Sequence, residues 1–112
     1  MKILTLCSAG AVRSVAMAHV LKSRYGHDAL AAGHNFNSQG TIDLLSGWAD
    51  RIIVMQPRYA KGILKKHAHK IVEPALTNVG DDVWGNSMSL GLQRAVYVMA
   101  MELHRKGILK KS

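Results

Sequence analysis

The chain has 112 residues, with 15 Lys and Arg against 7 Asp and Glu, for a formal net charge of +8. That length makes one domain over 1–112, and 48% hydrophobic with 20% charged residues is the composition of a globular chain, which excludes a disordered one. No stretch approaches the roughly 20 apolar residues of a membrane span, and the apolar start is too short for a signal peptide, so a cytoplasmic protein with no membrane partner is expected. The single cysteine, Cys7, excludes an internal disulfide and a thiolate zinc cluster, which fits a reducing compartment.

In chain order, Lys2 to Leu6 reads as a first strand, and Val12 to Tyr25 as a helix ending near Gly26. Asp28 to Ala32 is a short second strand, followed by a polar loop over 33–40. Thr41 to Ala49 is a helix with Thr41 as N-cap and Leu44, Leu45 and Trp48 on its inner face. Arg51 to Met55 is a buried strand ended by Pro57, Arg58 to His67 a basic helix, and Lys70 to Ala75 a fourth strand with Pro74 near its end. A loop over 77–86 then leads to a long amphipathic helix over 87–106. Strands spaced by helices imply right-handed βαβ units, hence a four-stranded parallel sheet with helices on both faces. Ligands of such sheets bind beyond the carboxyl ends of the strands, where strand order reverses.

The residues from Cys7 to Ser14, Cys-Ser-Ala-Gly-Ala-Val-Arg-Ser, follow the first strand and lead into the first helix. Ser8, Ala9, Gly10, Ala11 and Val12 can curl so that successive backbone N–H groups point inward and form an anion nest at the helix N-terminus. Gly10 suits a turn that needs positive φ, while Ala9 and Ala11 keep bulk out of the ring. Arg13 adds a planar fork for two oxygens of a phosphate or other oxyanion. Cys7 would lie under the phosphorus, where the inward amides, the helix and Arg13 favour thiolate over thiol. Ser14 can donate its hydroxyl to that thiolate, or assist it as a leaving group. The plain alternative is that Cys7 is a small buried hydrophobe at a strand end.

Phosphoryl transfer to a thiol needs an acid to protonate the departing oxygen, brought from another loop. Asp81 and Asp82 are the best-placed carboxylates, whereas Asp43 on a helix and Asp50 before a strand read as solvated. Trp84 either lines an aromatic substrate or covers the core. The positive charge gathers at Lys61 to Lys70 and at Arg105 to Lys111, read as a solvated helix face and a frayed terminus. Nucleic acid enters as a partner because of this charge, but neither run carries interleaved aromatics, so a stacking surface for single strands is not favoured. The six histidines are scattered, and the pair His67-x-His69 reads as surface rather than as a ligand set, which disfavours a metal site. No cofactor is implied.

The Cys-x5-Arg-Ser loop after the first strand and the late Asp82-Val83-Trp84 resemble the low-molecular-weight protein tyrosine phosphatase family, which carries the first motif near its N-terminus and an Asp-Pro-aromatic acid loop near its C-terminus. Trp48 to Met55 resembles the third strand of small phosphatases of this kind, and Ala31-Ala32-Gly33 the family's Ser-Ala-Gly. The similarity covers nearly the whole chain by order of elements and is specific at the first loop. It implies the phosphotyrosine phosphatase I-like fold with flavodoxin-like strand order. It also implies hydrolysis of a phosphomonoester, on a phosphorylated protein or a small molecule, through a phosphocysteine. Cys7 would be the nucleophile, Arg13 the transition-state clamp, Ser14 the thiolate partner and Asp82 the general acid and then base, with Asp81 in reserve. Ala9-Gly10 stand where the family usually has Gly-Asn, Val83 replaces the proline, and Val12 replaces a second cysteine, so oxidised Cys7 would depend on an external thiol.

Three other readings share the loop. Cys7 to Gly10 also resembles the phosphocysteine loop of sugar phosphotransferase enzyme IIB proteins of the cellobiose type, but those continue with small hydroxyl residues where Arg13 stands here. An arsenate reductase working with an external thiol would use the same cradle. A phosphate-binding module without turnover would keep the cradle and not need the acid.

Overall fold

The computed structural model describes residues 1–7, 13–33, 37–55, 57–72 and 90–110. Strands β1 (Lys2–Cys7), β2 (Asp28–Gly33), β3 (Arg51–Val54) and β4 (Ile71–Val72) form one parallel sheet in the order β2-β1-β3-β4. Helices α1 (Arg13–Tyr25), α2 (Gln39–Trp48) and α3 (Leu90–Arg105) complete the α/β architecture, and two 3-10 segments, Pro57–Gly62 and Lys65–Lys70, join β3 to β4. From β1 the chain steps to one side to make β2, then crosses back over β1 to make β3. Right-handed crossovers therefore set α1 and α2 on opposite faces. Helix α3 packs beside α1.

The central strands are apolar on both faces because both faces are covered. Ile3, Leu4 and Leu6 of β1 and Ile52, Ile53 and Val54 of β3 have no exposed surface. Each such side chain contributes about 1.5–3 kcal/mol by leaving water. The edge strand β2 alternates only at its start, with Asp28 and Leu30 exposed and Ala29 buried between them, and is buried at its end, Ala32–Gly33. Helix α1 stops where Gly26 takes φ +70°, which lets the His27 amide reach back to the Leu21 carbonyl and the Gly26 amide to that of Lys22, both at 3.1 Å.

Three sequence expectations are corrected. The N-cap of α2 is Ser38, not Thr41: the Ser38 hydroxyl accepts the Thr41 amide at 3.2 Å, so Thr41 already lies inside the first turn. Leu44 is not on the inner face but 75% exposed; it lies about 200° around the helix from buried Ile42. Ser46, one turn on from Ile42, takes the inward position and donates to the Ile42 carbonyl at 2.7 Å, while Leu45 and Trp48 are half-buried. The basic helix expected over 58–67 is two 3-10 segments, interrupted at Leu64, which is extended at φ −60°, ψ 144°. Gly62, a poor helix residue, sits just before the break.

Part of the charge run also has a structural task. The Lys70 ammonium donates to the carbonyls of Ser46 and Gly47 at 2.9 and 3.4 Å, placing a cation at the C-terminal end of α2. The fourth strand is described only over Ile71–Val72. The expected positions of Pro74, of the loop over 77–86 and of the start of the last helix at 87–89 lie outside the described residues. Among the described residues, no helix is long and apolar enough to cross a membrane.

A chain of hydrogen bonds joins α1's exit to α3. The Met1 ammonium lies 3.0 Å from His27 Nδ1, and an ammonium can only donate. His27 therefore carries its proton on Nε2 and donates it to His104 Nε2 at 2.9 Å, and His104 Nδ1 donates to the Ala100 carbonyl at 2.6 Å. Burial of the His27 ring, then the ammonium and His104, lower its pKa to about 4. In the unfolded chain the ring titrates near about 6.5, so the unfolded state binds more protons between the two values. The stabilisation is complete above the upper value and drains away toward the lower one. The melting temperature of the wild type should therefore fall more steeply between pH 7 and pH 5 than that of His27→Gln; parallel curves would remove His27 as the source.

Candidate active site

Alternation along β1 puts Ile3, Thr5 and Cys7 on one face, the face covered by α1. Cys7 ends the strand and is 2% exposed. Ser14, the second residue of α1, is fully buried, and its Oγ lies 3.0 Å from Cys7 Sγ. The thiol–hydroxyl pair expected from the spacing is thus made. In the thiolate form the serine hydroxyl donates and the sulfur accepts.

A second buried hydroxyl sets that contact. Thr5 Oγ1 donates to the Ser14 carbonyl at 2.7 Å, with a longer approach of 3.5 Å to the Leu30 carbonyl. A hydroxyl with no exposed surface in the middle of a strand must find an acceptor, and this one uses it to tie the first turn of α1 to β1. Its effect is to hold Ser14 beside the sulfur two residues further along the same face. Sequence reading passed over Thr5 as part of an apolar run. The available signal was a lone polar residue within Ile3-Leu4-Thr5-Leu6.

Arg13 opens α1 and is 1% exposed. A permanently charged guanidinium is kept out of water only where hydrogen bonds and opposite charge compensate. It precedes Ser14 directly in the chain, so a buried cationic residue and the buried thiol–hydroxyl pair share the start of α1. The first turn of α1 contains no acidic residue, so the positive end of a 13-residue helix is not offset by its own side chains.

The position in the sheet is the one anticipated. Cys7 pairs with Gly33 at the carboxyl ends of β1 and β2, while Leu6 pairs with Val54 across the strand-order reversal. Gly33 is itself fixed by two bonds with Asn37, its amide donating to Asn37 Oδ1 at 2.7 Å and its carbonyl accepting the Asn37 amide at 2.9 Å. Asp50 is at the other end of the sheet, where its carboxylate accepts the Lys2 amide at 2.9 Å, and Asp43 accepts the Gln39 side-chain amide at 2.7 Å. Neither joins Cys7. Ser8, Ala9, Gly10, Ala11, Val12, Asp81, Asp82 and Trp84 lie outside the described residues. Among the described residues, no three His, Cys, Asp or Glu side chains converge as metal ligands would.

No protein-family model, curated protein or solved structure matches the chain.

Thr5 is expected to tune Cys7 through Ser14. Thr5→Val should slow alkylation of Cys7 by iodoacetamide about as much as Ser14→Ala does, and Thr5→Ser should restore the rate. The double variant should be no slower than Ser14→Ala alone. Additive losses would mean that Thr5 acts on the thiol by another route.

Proposed function

We propose that this chain is a cysteine-dependent phosphatase that hydrolyses a phosphomonoester through a phosphocysteine intermediate. The observation that carries the reading is the buried contact of 3.0 Å between Cys7 Sγ and Ser14 Oγ, made next to the buried guanidinium-bearing residue Arg13. A cysteine that only filled the core would need neither neighbour. The resemblance of the Cys-x5-Arg-Ser loop to that of low-molecular-weight protein tyrosine phosphatases supports the same reading and favours a phosphotyrosine-type substrate. A lone cysteine of this kind also suits a reducing, cytoplasmic setting.

In the proposed reaction the Cys7 thiolate attacks phosphorus in line, forming the S–P bond as the ester P–O bond breaks. Asp82, or Asp81 in its place, gives a proton to the departing oxygen. Arg13 and the amides of Ser8 to Arg13 stabilise the charge on the equatorial oxygens. Water then attacks phosphorus, the same aspartate takes its proton, and the S–P bond breaks to release inorganic phosphate. Ser14 donates to the sulfur as it leaves, which makes the second step faster.

Hydrolysis of para-nitrophenyl phosphate by fresh, reduced protein tests this. Cys7→Ser should abolish turnover. Arg13→Lys should lower kcat by about 10²–10³, the loss typical of removing a transition-state donor, and Asp82→Asn by about 10² or more. Wild-type protein that accumulates stable phosphocysteine without releasing phosphate would instead be a carrier. Protein with no turnover and no covalent phosphate would be a binding module.

A further inference from the structure

We infer that the seam between α1 and α3 is a binding groove for single-stranded nucleic acid. Two clefts, of about 280 and 680 Å³, run along this seam and share a wall made by Arg24 and Tyr97. Together their linings reach from Leu90 to Arg105, nearly the whole of α3, roughly 20 Å at the helical rise per residue. A groove of that length accommodates several nucleotides.

The chemistry of the walls is what selects the ligand. Arg24 and Arg94 face the smaller cleft, in which no carboxylate takes part among the described residues. In the larger cleft the one acid among the described residues, Glu102, is held by Arg105 at 2.8 Å, so its charge is offset locally. The groove is therefore cationic, in a chain whose formal charge is +8. Beside the arginines stand aromatic rings. Tyr25 and Tyr97 lie 6.4 Å apart and tilted by 33°, and the far face of the cluster is closed by His104, stacked on Tyr25 at 3.8 Å. The Arg24 guanidinium lies 5.0 Å from the centre of the Tyr97 ring. Met101, 47% exposed, adds an apolar floor.

Arginines interleaved with partly exposed tyrosines are the pairing that single strands require, with phosphates drawn to the cations and unstacked bases laid on rings. An acidic peptide would use the arginines and leave the aromatic wall without a role. The sequence hides this surface, because Arg24-Tyr25 and Arg94-x-x-Tyr97 stand far apart in the chain and neither belongs to the two lysine-rich runs. The groove uses none of Cys7, Arg13 or Ser14, so the inference does not rest on the proposed phosphatase activity.

The test is fluorescence anisotropy with an oligothymidylate of about 12 nucleotides, labelled at its 3′ end and carrying a 5′ hydroxyl, so that no terminal monoester can enter a phosphate cradle. The full chain should bind saturably, with the logarithm of affinity falling linearly against that of salt concentration. Arg24→Glu and Arg94→Glu should each weaken binding about tenfold, a larger loss than from Lys65→Glu on the 3-10 segment. Tyr97→Leu should cost about fivefold or more while Tyr97→Phe, which keeps the ring, retains affinity and controls for folding. No saturable binding at low salt would overturn the proposal. So would equal losses from Lys65→Glu, an unchanged affinity in Tyr97→Leu, or equally tight binding of an oligoglutamate peptide, which would make the groove a site for acidic chains.

Discussion

Strand β1 is hydrogen-bonded on both edges, to β2 and β3, and buried on both faces, and the position of every described site residue descends from that. A strand held on all four sides cannot shift register without turning its whole apolar set over. Thr5 is thereby committed to the α1 face, where its hydroxyl has to bond, and the acceptor it finds is the carbonyl of Ser14. One hydrogen bond thus converts the rigidity of the sheet into the placement of a helix start. Cys7 inherits the same face two residues later, and its contact with Ser14 follows.

The two ends of α1 serve different chemistry. At its start, buried Ser14, next in the chain to buried Arg13, meets the thiol at the carboxyl end of the sheet. At its end, Arg24 and Tyr25 pack with α3 into an open cationic and aromatic seam. Between them the interior of α1 is ordinary core, with Met17, Val20 and Leu21 buried against the sheet and α3. The helix is thus anchored by its middle and by its buried start, and its last turn is the polar end that lines an open seam.

The pH-sensitive relay of Met1, His27 and His104 is a further consequence of α3 lying on α1. It needs the start of β1, the exit of α1 and the last turn of α3 at one point, and every proton in it has a single consistent place only while His27 is neutral. Stacking of Tyr25 on His104 shields that point from water, and the same stack closes one side of the groove. Stability near the helix pair and the shape of the seam are therefore coupled through the same rings.

The order of strands and helices was legible in the chain because parallel βαβ units impose apolar runs separated by amphipathic ones, and the Cys7–Ser14 pairing was legible because strand, turn and helix N-terminus fix it locally. Leu44 was misjudged because apolar character alone does not give the rotation of a ten-residue helix, which the Ser38 cap and the inward Ile42 and Ser46 settle. The basic segment after β3 was misjudged because its basic character did not reveal the break after Gly62, where Leu64 is extended and divides it into two 3-10 segments. By itself the sequence determined the class of fold and the thiol–arginine–serine motif, since both are written in short-range periodicity and spacing. The tertiary structure alone decided that Thr5 props Ser14 and that Arg24, Tyr25, Arg94 and Tyr97 share one groove, because those contacts join elements that only packing brings together.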